Sequence, residues 1–133
     1  MKILVVHRQE ITVETIKSVL SGCKNVVRNT ESGLDGLLTS RIEHFDLIIC
    51  GTDLPVITGF ELVRSLRTHS VNRNTPVILL AETADEKTLH LANSLKVFAL
   101  LNPSEIPSKL PELVEAAKTP ILNLTDLPGV RLN

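Results

Sequence analysis

Short, continuous apolar runs alternate along this chain with longer stretches whose apolar residues recur at helical spacing. The runs occupy residues 3–6, 47–50, 77–80 and 97–101. Runs of this length with no polar alternation read as strands buried on both faces of a parallel sheet. A more polar segment, residues 25–30, carries only Val26 and Val27 and reads as a strand at a sheet edge. The intervening stretches predict helices. The first has Ile16, Val19 and Leu20 inside and ends near Ser21-Gly22, where glycine suits a C-terminal cap. The second opens at Ser32-Gly-Leu-Asp35, similar to a capping box, with Leu34, Leu37, Leu38 and Ile42 predicted as its inner face. The third presents Leu62, Val63 and Leu66. The fourth follows the capping box Thr83-Ala-Asp-Glu86 and buries Leu89, Ala92 and Leu95. The last has Pro107 and Pro111 in its front turn, where proline is tolerated, and Leu110, Leu113, Val114 and Ala117 behind them.

Five strands alternating with five helices predict an α/β fold, a (βα)5 doubly wound parallel sheet with right-handed crossovers. The polar second strand fits an edge, and strands one, three and four fit the centre. This supports the flavodoxin-like order 2-1-3-4-5. The pattern covers residues 1–118. Residues 119–133, interrupted by Pro120 and Pro128-Gly129, fall outside it and read as a C-terminal extension or linker.

Composition narrows the function. The chain has 133 residues, enough for one domain with a proper core, and a net charge of −1. No basic field points to nucleic acid and no polybasic run to a membrane surface. With three Phe and neither Trp nor Tyr, there is no aromatic platform for stacking bases. The start, Met-Lys-Ile-Leu-Val-Val, lacks the apolar length of a signal peptide, so a cytoplasmic location is expected. Cys23 and Cys50 lack CxxC spacing and read as buried thiols in a reducing compartment. His44, His69 and His90 share no metal-ligand spacing with His7, so no metal site is expected.

Residues 46–67 organise the rest. The apolar run ends at Gly51, the chain passes through Leu54-Pro55 and Gly59, and an amphipathic helix follows. This segment resembles the centre of bacterial response-regulator receiver domains, and the resemblance extends over about residues 1–118. Ligands in such folds sit at the carboxyl ends of the strands. The resemblance implies an acid pair after the first strand that holds Mg²⁺ with a phosphoaccepting Asp. It also implies a hydroxyl after the fourth strand and a Lys before Pro after the fifth, which stabilise the transferring phosphoryl group.

In this chain those positions fall on His7 and Arg8, Gly51, Ala81 and Asn102, so all five groups are replaced. The aromatic switch position falls on Ala99, or on Phe98 in a register one residue off. The expectation is a pseudo-receiver that binds no Mg²⁺ or other cofactor, is not an enzyme, and works by contact with a signalling protein partner. Homodimerisation stays open. The resemblance implies a partner surface on the fourth helix, fifth strand and fifth helix, with Lys87, His90, Asn93, Ser94 and Phe98 as its candidates. The alternative is a sensor of a small anion or nucleotide, held by His7, Arg8 and helix N-terminal amides in the strand-end crevice. Glu82 is a candidate to pair with Arg8 or His7 there, and Asp53 is the nearest carboxylate to the acceptor position.

Overall fold

The computed structural model describes residues 1–21 and 24–118. The expected cap at Gly22, Cys23 and the extension at 119–133 lie outside the described residues. The elements run β1 (Lys2–Val6), α1 (Glu10–Leu20), β2 (Val26–Thr30), α2 (Gly33–Ile42), β3 (Leu47–Gly51), α3 (Gly59–His69), β4 (Val77–Leu80), α4 (Glu86–Ser94), β5 (Ala99–Leu101) and α5 (Ile106–Lys118). A 3-10 turn, Pro103–Glu105, leads into α5. All strand pairs are parallel and the order is β2-β1-β3-β4-β5, the flavodoxin-like arrangement expected from the apolar runs.

The register fixes which residues share the upper edge. Val6 lies opposite Thr30 on one side and Cys50 on the other, and Gly51 lies opposite Leu80, which pairs with Leu101. Central strands are buried apart from Lys2 at the start of β1, whereas β2 is largely exposed, as an edge should be. One core lies between the sheet and α1 and α5, around Ile3, Ile49, Ile16 and Leu110. The other lies under α3 and α4, around Leu4, Ile48, Leu62, Leu66 and Ala92. Cys50 is wholly buried, and desolvation pushes its thiol pKa up to about 12.

Several expectations need correction. The inner face of α2 consists of Gly33, Gly36 and Ser40; Leu37 is only partly buried, and Leu34, Leu38 and Ile42 point to solvent. The reason is close approach, since a Cβ on Gly36 would come within 2.8 Å of Val6 Cγ2 and one on Gly33 within 2.5 Å of the Ile57 carbonyl oxygen. No leucine fits in that gap. Helix α4 starts at Glu86 and is capped by Asp85, which accepts from the Thr88 N–H at 2.8 Å, so the box at Thr83 does not form. That backbone bond holds the Asp85 carboxyl below the usual range. Leu89, expected inside α4, is 37% exposed. Strand β5 begins at Ala99, two residues later than its apolar run. Pro111 lies inside α5 because the 3-10 turn starts the helical path early, leaving the Pro107 carbonyl without its i+4 donor.

Candidate functional site

The loops that leave β1, β3 and β4 meet above the sheet in a cleft of about 350 Å³. His7, Arg8, Gly51, Asp53, Ala81 and Glu82 line it. The parallel register delivers Val6, Cys50 and Leu79 to one level, so the next residues of each strand converge without further help. Asn102, from the end of β5, is the one of the five replaced positions that does not line the cleft.

His7 dominates the floor. It is 8% exposed, its backbone N–H donates to the Thr30 carbonyl, and the Gln9 N–H donates to its Nδ1 at 3.0 Å. An accepting Nδ1 carries no proton, so the neutral ring holds its proton on Nε2. The edge of the ring lies over Gly51, where an added Cβ would be 2.9 Å from His7 Cδ2 and 3.2 Å from Nε2. The imidazole thus fills the space into which any side chain at residue 51 would grow.

Arg8 turns the other way. Its guanidinium pairs with the Asp53 carboxylate at 3.1 Å across the mouth of the cleft, both groups being well exposed. Of the two candidate partners for Glu82, Arg8 is therefore taken by Asp53, while the Glu82 carboxylate acts on His7 only as a nearby charge. The loop that follows Gly51 brings Asp53 to the cleft. An exposed pair of this kind contributes about 0–1 kcal/mol. Ala81 closes the β4 side with a methyl group and is 6% exposed.

Asn102 has a structural task. Its Oδ1 accepts from the Ser104 N–H and hydroxyl, each at 2.9 Å, and the Glu105 carboxylate accepts from the Asn102 N–H, which completes a capping box on the 3-10 turn. Its Nδ2 donates to the Glu82 carbonyl at 2.9 Å and ties the loop after β4 to that after β5.

The loop after Gly51 is held by Thr52, whose N–H donates to Leu80 and whose carbonyl accepts from Gly59. A γ-turn follows, with Ile57 N–H donating to the Pro55 carbonyl and Val56 at φ 75. Thr58 then caps α3 in a full capping box with Glu61. That Thr-x-x-Glu spacing was open to sequence reading; the γ-turn was not.

Lys87, His90, Asn93 and Ser94 are all exposed on α4, as expected. Phe98 is not a surface residue. It is 7% exposed and belongs to the core that includes Ile106 and Leu110, because β5 starts after it and its ring turns toward α5.

Burial lowers the His7 pKa from 6.5; the carboxylates of Glu82 and Asp53 oppose this, and Arg8 reinforces it. In the unfolded chain the imidazole takes up its proton as pH falls through 6.5, while in the fold it resists until lower pH. Stability attributable to His7 is therefore full above 6.5 and falls as the medium is acidified below it. Guanidinium unfolding at pH 7 and at about 5 is expected to show a smaller acid loss in His7→Gln than in the unaltered chain. Equal losses would contradict the buried neutral ring.

Residues 3–115 match the response regulator receiver domain, and the chain belongs to that family. The cell cycle transcriptional regulator CtrA of Caulobacter vibrioides is 28% identical to it over 88 residues, covering 66% of this chain and 37% of that protein. The transcriptional regulatory protein CusR of Escherichia coli is 35% identical over 80 residues, covering 60% of this chain and 34% of that protein. The two-component response regulator-like APRR5 of Arabidopsis thaliana is 28% identical over 92 residues, covering 68% and 16%. The chain thus spans between 16% and 37% of the length of these relatives. Among solved structures, the fold is similar to that of the chemotaxis response regulator CheY4 of Vibrio cholerae, with a TM-score of 0.73, 22% identity and coverage of 84% of this chain and 97% of that one. It is also similar to the non-phosphorylated receiver domain of RcsB from Escherichia coli, with a TM-score of 0.79, 17% identity and coverage of 89% and 92%.

Proposed function

We propose that this receiver domain transmits signals by protein–protein contact without phosphorylation at the strand-end site. The observation that supports this reading is the packing of His7 over Gly51: the position for an acceptor side chain has none, and an imidazole fills the space beside it. The surroundings point the same way. Mg²⁺ would meet a neutral imidazole and a guanidinium where this family places two carboxylates, and the local potential opposes a dication. Ala81 offers no hydroxyl, and Asn102 is occupied as a cap and a loop tie. The anion-sensor alternative draws little support, because Arg8 is engaged by Asp53 and burial favours uncharged His7.

The partner surface in this reading is the exposed side of α4 with Lys87, His90, Asn93 and Ser94, continued by α5. The partner is a signalling protein in the cytoplasm, met by residues 1–118, with residues 119–133 acting as extension or linker. No helix among the described residues is long and apolar enough to cross a membrane.

The acceptor position supplies the experiment. Gly51→Asp, incubated with acetyl phosphate and Mg²⁺, is expected to show no phosphoryl adduct by intact mass. The new carboxylate lacks metal ligands and the Lys that the family places after β5, where Asn102 stands, and it must also displace His7. A Mg²⁺-dependent adduct on residue 51 would show that the remaining pocket is competent and would overturn the reading.

A further inference from the structure

The three apolar residues that α2 turns outward form a continuous stripe. Leu34, Leu38 and Ile42 are 41%, 53% and 86% exposed, and their spacing of four places them one above another along about 12 Å of helix. Single exposed leucines are ordinary, but a stripe repeated over more than two turns marks a contact surface. The chain cannot bury it by rotating α2, because Gly33, Gly36 and Ser40 are what permit the helix to sit on the sheet.

A groove between α2 and α3 adjoins the stripe, lined by Arg41 and Arg64 with Glu61, Ser65 and Thr68. Both arginines are exposed, and neither is bound to a carboxylate among the described residues. The Glu61 carboxylate is occupied by the Thr58 N–H at 3.0 Å. The face therefore offers an apolar ridge with two guanidiniums along one flank.

We propose that the α2–α3 face is a docking site for an amphipathic helix of a partner protein, one that carries acidic residues beside its apolar stripe. A helix is the element whose i, i+4 ridge matches the length and spacing of Leu34, Leu38 and Ile42. Carboxylates on its edge reach Arg41 and Arg64, and guanidinium is suited to bidentate pairing with them. A second copy of this chain is a poorer occupant. Packed antiparallel about a two-fold axis, it brings the Arg41 flank against its own equivalent, and like charges face each other. The site does not depend on the state of the strand-end cleft, since it lies on other residues and needs no phosphorylation.

The test is selection from a displayed library of random peptides about four turns long against the whole immobilised chain, counter-selected with Leu38→Lys. Both Leu38 and Arg41 are exposed, so neither Leu38→Lys nor Arg41→Glu/Arg64→Glu should disturb the fold, as circular dichroism would show. The expected peptides carry apolar residues at i, i+4 and i+7 flanked by Asp or Glu. Their synthetic forms are expected to bind at least about tenfold more weakly to Arg41→Glu/Arg64→Glu and to Leu38→Lys. The proposal is overturned if no selected peptide discriminates against Leu38→Lys, or if the peptides lack acidic enrichment. Sedimentation showing a dimer that Leu38→Lys dissolves would overturn it too, by assigning the face to a second copy.

Discussion

Asn72→Ala is expected to lower stability by about 3–5 kcal/mol, measured by guanidinium unfolding at neutral pH. The side chain is 0% exposed and sits where the loops before β3 and β4 meet. Its Oδ1 accepts from the Phe45 N–H at 2.8 Å and from the Thr75 hydroxyl at 3.1 Å, and its Nδ2 donates to the carbonyls of Ser40 at 2.6 Å and Glu43 at 2.9 Å. Truncation removes all four bonds and orphans a buried N–H, at about 1–3 kcal/mol for each group left without a partner. Asn72→Asp separates hydrogen bonding from shape: it keeps the acceptor but puts a carboxylate against two carbonyls, and a comparable loss is expected. A loss under about 1 kcal/mol for Asn72→Ala would mean that water replaces the side chain and that the hub does not hold the loops.

Gly59→Ala is expected to be nearly as damaging, for a steric reason. Gly59 opens α3 and donates its N–H to the Thr52 carbonyl at 3.0 Å. A Cβ there would lie 2.1 Å from the Gly51 carbonyl oxygen and 2.9 Å from its carbon. Both are backbone atoms of a buried central strand, so neither can swing aside as a side chain would. The helix must retreat from β3, uncovering Leu62, Val63 and Leu66, which are all 0% exposed. Overpacking costs about 1–3 kcal/mol where side chains can relax, and a rigid backbone contact belongs at or above the top of that range. Thermal unfolding that left the midpoint within about 2 °C of the unaltered chain would contradict this close approach.

The strands were legible in the sequence because burial on both faces leaves a mark that no other element of four or five residues leaves. Residues 3–6, 47–50 and 77–80 carry it, and the weaker mark at 25–30 identified the edge. Helix α2 was misread for the opposite reason. It has leucines on its outer side and glycines and a serine on its inner side, so apolar periodicity points to the wrong face, and only the distance to Val6 decides the matter.

Buried polar hubs were equally hidden. Residues 72–76 have the composition of a solvated loop, yet Asn72 and Thr75 are buried within it. Arg67 follows the apolar stripe of α3, and its guanidinium donates to the carbonyls of Arg73, Thr75, Leu95 and Lys96, while burial lowers its pKa. In the candidate site, motif position assigned the five replaced groups to His7, Arg8, Gly51, Ala81 and Asn102, and the first four of these line one cleft. The ring of His7 over Gly51 and the capture of Arg8 by Asp53 depend on loop conformation, which short-range spacing does not encode.

The central claim is that the strand-end cleft no longer accepts a phosphoryl group. The most direct measurement is an amide ¹H–¹⁵N spectrum of the whole chain, recorded with and without millimolar Mg²⁺ and beryllofluoride, a mimic of the phosphoryl group. The account predicts that the amides of Gly51, Thr52, Ala81, Glu82 and Asn102 keep their positions on addition of both. Saturable shifts confined to those amides, requiring Mg²⁺ and beryllofluoride together, would contradict it.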